Sequence, residues 1–170
     1  MRDLRPVVVA AAVLSLVLWP VQITSAFGLP AHPLFLHVPV VFVPILGVAT
    51  LVAVARPSLF GVPLAVFAVV TLAATLLTVG AGEAFLATQD RLQGDPTMKD
   101  HEGAGQTVRF CMVFLTAALL GLLWVKRGAA NVALRVVVVL FAVSAVAFTV
   151  RAGHLGSKLA WGDALTQSTK

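Results

Sequence analysis

From Val132 to Val150 the chain carries one charged side chain, Arg135. The stretches Leu34 to Ala55, Val62 to Ala81 and Val108 to Val125 are comparably poor in charge. Each approaches the roughly 20 residues that cross the hydrocarbon core of a bilayer as a helix. Only 11% of the 170 residues are charged, against about 25% in soluble domains, too few to wet a globular surface. The chain therefore reads as an integral membrane protein. In hydrocarbon every backbone N–H and C=O must be bonded internally, so only helices and closed barrels span. The runs are rich in Val, yet the apolar–polar alternation of barrel strands is missing. The expected fold class is all-α, an integral membrane four-helix bundle.

A fifth apolar segment, Pro6 to about Phe27, precedes this core and follows the basic residues Arg2 and Arg5. Its most apolar part stops at Trp19-Pro20, and Thr24 and Ala26 then offer the small residues of a cleavage site. A signal peptide and an uncleaved signal anchor both fit residues 1–27. Residues 28–165 form the four-helix domain, with helices expected near 34–55, 62–83, 103–125 and 132–154, and 166–170 a polar tail. Pro44 should kink the first of these helices. Thr71, Thr75, Thr78, Thr116 and Ser144 suit hydrogen bonds between helices.

The formal net charge of +5 does not signal nucleic-acid binding, because the basic residues flank apolar runs rather than form a soluble stripe. Arg2, Arg5, Arg56, Lys126, Arg127 and Arg135 fall on one side if the segments alternate. Asp90, Asp95, Asp100 and Glu102 fall on the other, with Arg91 and Lys99 among them. The positive-inside rule puts the first group in the cytoplasm. The expected location is the bacterial cytoplasmic (inner) membrane, with the acidic loop and the C-terminus outside. The single Cys111 excludes an internal disulfide and any CxxC metal site.

That topology gathers the chemistry at the outer face. His32 and His37 precede the first core helix, His101 the third, and His154 follows the fourth. Glu83, Arg109 and Arg151 join them. Ionisable groups at the edge of a membrane bundle usually face its interior. Gly80, Gly82, Gly103, Gly105, Gly153 and Gly156 flank the cluster, and small residues admit either close helices or a flat ligand.

The stretch "HPLFLHVPVVFVPI" from His32 resembles the His-Pro-x-x-x-x-His-Phe-Pro-Ile opening of domain of unknown function 2231, a family of small bacterial membrane proteins. "AGHLGSKLAWGDAL", from Ala152, is similar to that family's closing Gly-x-x-Gly-Gly-x-Leu-Val-Tyr segment, and His101 matches its further histidine. The likeness covers roughly residues 30–165. Val38 stands where the family has Phe, Ser157 where it has the second Gly, and Trp161 near its Tyr. The resemblance implies a four-helix core in the bacterial inner membrane. Some relatives are joined to Rieske-type iron–sulfur domains, which implies electron transfer.

Three readings of the cluster follow. In the first, imidazoles supply axial ligands to haem b, with His37 and His154 favoured and His101 as substitute. Arg109, Arg151 or Lys158 would then pair with propionates. In the second, His37, His101, His154 and Glu83 hold zinc, or Met98 and Met112 soften the site for copper. In the third no cofactor is bound, Glu83 pairs with Arg109 or Arg151, and the chain is an accessory or scaffold subunit. His32 is expected to be an interfacial neighbour. There is no GxSxG, phosphate-binding loop or carboxylate pair, so the chain is not expected to be an enzyme by itself. Its partners are the lipid bilayer and a membrane redox partner or larger complex.

Overall fold

The computed structural model describes residues 3–167, with side chains as far as Trp161. Arg2 and the last three residues of the expected tail lie outside that range. The fold consists of α1 (Arg5–Ser15), α2 (Ala31–Phe35), α3 (His37–Ala55), α4 (Val62–Leu86), α5 (Pro96–Gly121) and α6 (Gly128–Gln167). A two-residue antiparallel ribbon, Ser25–Ala26 with Leu29–Pro30, joins α1 to α2. Four helices are long and apolar enough to span a membrane: Ala31–Ala55, Val62–Leu86, Pro96–Gly121 and Gly128–Trp161. The protein is an all-α membrane bundle.

α4 ends at Leu86, three residues past its expected limit, and two helices overrun theirs further. α5 starts at Pro96 rather than near residue 103, because Asp95 caps it: its carboxylate accepts from Met98 N at 3.0 Å. Asp at the cap followed by Pro at the first position is a helix start, although Gly94-Asp-Pro96 also reads as a turn. α6 continues past residue 154 through the glycines of the C-terminal segment. α3 runs through Pro44 without a break. The interruption falls earlier, at Leu36, between α2 and α3.

α6 packs on α5 and α3, and α4 packs on α3, α5, α2 and α1. Leu46, Leu72, Leu76, Met112, Leu115, Leu122 and Val138 fill the centre. Close approach depends on glycine at position 47, where a Cβ would meet Val146 Cγ2 at 2.6 Å. The outward faces are apolar, with Val48, Val66, Val70, Phe114 and Val143 exposed to the surroundings; in a bilayer they meet lipid. Thr71 and Thr75 donate not between helices but to the carbonyls of Phe67 and Thr71, one turn back. Thr116 does cross, reaching Ala68 O at 3.5 Å.

The antiparallel helices sort the charged ends. Arg5, Arg56, Lys126, Arg127 and Arg135 lie towards the end where α3 and α5 finish. His32, His37, His101 and His154 lie towards the other. These are called the basic end and the histidine end.

Candidate functional site

At the histidine end the backbone prepares the site. Pro39 has no N–H, so the carbonyl of Phe35 lacks its helical partner. Thr78 of α4 reaches that carbonyl, its single hydroxyl proton shared between Ala74 O at 2.8 Å, the closer acceptor, and Phe35 O at 3.3 Å. This ties the break at Leu36 to α4 and brings His32 against Gly82. A Cβ at Gly82 would lie 2.9 Å from His32 Nδ1, so glycine is what lets the imidazole seat. The ring also stacks on Phe85, with centroids 6.5 Å apart.

His32 and His101 are neighbours across α2 and α5, their rings nearly perpendicular with centroids 6.1 Å apart. His32 Nδ1 donates to Thr78 O at 3.0 Å, and His101 Nδ1 donates to Ala152 O at 2.9 Å. His37 is exposed and makes a longer contact of the same kind, to Leu34 O at 3.4 Å. A carbonyl only accepts, so each Nδ1 carries a proton, which leaves Nε2 as the nitrogen able to offer a lone pair. None of these Nε2 atoms has a hydrogen-bond partner among the described residues, and none is an enclosed orphan. The rings are held as ligating histidines are commonly held, by the nitrogen that does not ligate.

All three line one cleft of about 620 Å³. Its walls are mostly apolar and descend from Arg91 and Trp161 at the rim to Thr75, Val108 and Thr149 between the helices. Gly105, Gly153 and Gly156 flatten one side. The Gly156 position is backed by the His101 ring, whose Cε1 would be 3.1 Å from an added Cβ. A smaller chamber of about 60 Å³ opens beside it, lined by His32, Glu83, Met98, His101 and Glu102 among others. The two sequence stretches that carry the family likeness, near His32 and near Gly153, thus face each other across one space.

The remaining expected residues are placed differently. His154 is exposed and off the cleft wall. Gly153, Gly156, Ser157 and Ala160 make the lining stripe of α6 at helical spacing, and His154 is rotated about 100° from Gly153. Arg151 is exposed and lies 3.8 Å from Asp100. Arg109 is buried, 3% exposed, with Nη2 3.2 Å from Glu83 Oε1. Its guanidinium carbon lies 4.7 Å from the centre of the Trp19 ring. Glu83 also accepts from Gln106 Nε2 at 2.6 Å and from Gln22 Nε2 at 3.4 Å. Of the cations, Arg91 stands at the cleft. Met112 is a core residue, whereas Met98 lines both cavities. Among the described residues, no three His, Cys, Asp or Glu side chains converge as a metal-holding group.

From sequence, His32 reads only as an interfacial neighbour, and Arg91, Gln22 and Gln106 are not singled out for this end of the bundle. The signal for His32 was Pro33: a proline in a first helical turn places the preceding residue inside that helix rather than in a loop.

Fold and site together define a helical membrane protein with a histidine-lined cleft at one end of its bundle. The chain belongs to the predicted membrane protein family DUF2231, whose pattern matches residues 28–169. No curated protein and no solved structure matches it.

Proposed function

We propose that the cleft binds a b-type haem and that the protein is a membrane electron-transfer component. The observation that carries this reading is the common fixing of His32, His37 and His101 by Nδ1, which leaves three Nε2 lone pairs at one apolar cleft. Haem needs only one or two imidazoles, a flat apolar slot and a cation for its propionates. The glycines of α5 and α6 supply the slot, and Arg91 at the rim is the propionate partner. The cleft lies within the 300–1,000 Å³ typical of cofactor sites. When bound, the haem supplies one-electron chemistry; the protein's residues hold it, exclude water and set its potential. Zinc has less support, since among the described residues no third ligand of its usual kind converges on the His32–His101 pair.

A second reading rests on that pair. Two imidazoles 6.1 Å apart beside Met98 and a chamber of about 60 Å³ suit a soft ion such as Cu(I). Haemochrome analysis and elemental analysis of the protein purified in detergent separate the two. Haem near one per chain supports the first, copper near one per chain without haem supports the second, and neither supports a cofactor-free accessory subunit.

A further inference from the structure

Residues 1–27 precede the segment matched by the family, yet their described part runs the height of the bundle. At the basic end Arg5 Nη1 donates to Leu123 O at 3.4 Å, and its guanidinium lies 5.8 Å from the Trp124 ring centre. Val8 and Ala12 are buried with Ala65, Val69 and Leu123. Higher up, Trp19 meets Phe110 edge-on at 5.3 Å and covers Arg109. The carbonyl of Val21 then backs onto Gly80 so closely that no Cβ fits there. At the histidine end Gln22 reaches Glu83. Ala31 N donates to Thr24 O at 3.1 Å where the ribbon enters α2, the helix of His32.

The lengths agree with a crossing. The helical part, Arg5–Leu18, spans about 21 Å at 1.5 Å per residue, short of a hydrocarbon core of about 30 Å. Pro20 ends it in a turn, with Val21 N donating to Leu18 O at 3.1 Å, and the non-helical residues 21–24 add up to about 13 Å. Irregular backbone is tolerated at membrane depth only where protein covers it, and the groove at Gly80 provides that cover.

We propose that residues 1–27 are retained as a fifth, half-helical and half-extended crossing, and that this crossing positions His32. The inference is independent of what the cleft holds. Removing the segment would strip Trp19 from a buried guanidinium whose Nε has no hydrogen-bond partner among the described residues, strip Gln22 from Glu83, and free the ribbon that leads into α2.

The test uses the full-length chain, labelled in sealed membrane vesicles of known orientation and then purified, with Cys111→Ala and single cysteines introduced as Asp3→Cys or Phe27→Cys. Intact mass should include residues 3–27, and a membrane-impermeant maleimide should reach the two positions from opposite sides. A mature chain beginning near Phe27, or labelling of both positions from one side, overturns the crossing. The positioning role is read by diethyl pyrocarbonate modification, mapped by mass spectrometry. In Trp19→Ala the rate at His32 should rise several-fold relative to His154 in the same molecule. An unchanged ratio overturns the role.

Discussion

Glu83 and Arg109 meet between α4 and α5 with Oε1 3.2 Å from Nη2, the guanidinium almost wholly enclosed. The contact is an ion pair in which Nη2 makes no hydrogen bond, and Nε is also without a partner among the described residues. Charge compensation and the Trp19 face therefore do the holding, while the best hydrogen bond of Glu83 goes to Gln106. Sequence leaves the choice of Arg109 or Arg151 open for this carboxylate. The fold chooses Arg109, because Arg151 lies exposed beside Asp100.

Glu83 is half-buried, but removing it leaves the enclosed Arg109 charge uncompensated, an effect of up to about 3–5 kcal/mol. Glu83→Ala should destabilise the protein by that order in reversible denaturation in detergent. The double variant Glu83→Gln with Arg109→Met, which removes both charges, should recover most of the loss. If Glu83→Ala unfolds like the parent protein, the pair is not buried as described.

Two glycines one helix apart should respond differently. A Cβ at Gly82 would press on the His32 ring at 2.9 to 3.0 Å, and that ring is held by Thr78 O. Gly82→Ala should therefore lower cofactor content per chain while the protein stays folded by circular dichroism. At Gly103 nothing lies within 4 Å, and α5 gains helix propensity of up to about 1 kcal/mol from Ala. Gly103→Ala should leave cofactor content unchanged and hold or raise the thermal midpoint.

Thr78 and Pro39 should be coupled through the carbonyl of Phe35. Thr78→Val removes a hydroxyl bond worth about 0.5–1.5 kcal/mol and leaves that carbonyl without its donor. Pro39→Ala restores an N–H able to take the same position. The penalty of Thr78→Val should then shrink in the Pro39→Ala background, measured as a double-mutant cycle. Strict additivity would show that the two residues do not share this acceptor.

Hydrocarbon thickness makes the four spans legible in sequence, since it demands long runs without charge whatever they pack against. Gathering the histidines at one end needs only the alternation of those runs. Rotation about each helix axis is not legible in the same way. His154 and Gly153 are adjacent in sequence, and only the packing of α6 decides that the glycine faces the cleft. His32 reads as a loop residue until Gly82 is known to lie opposite it. Asp95-Pro96 serves as either a turn or a helix start, and the capping bond to Met98 settles which. The first segment looks like a leader because its helix is short, and its fit against Gly80 is a tertiary fact.

The most direct test of the central claim is the visible absorption spectrum of the purified protein in detergent, compared across the four histidine variants. The parent protein should show a Soret band that shifts on reduction with dithionite. His101→Ala, together with His32→Ala or His37→Ala, should abolish or displace the band, while His154→Ala should leave it unchanged. A parent protein with no Soret band even after reconstitution with hemin, or a band lost only in His154→Ala, would contradict the account.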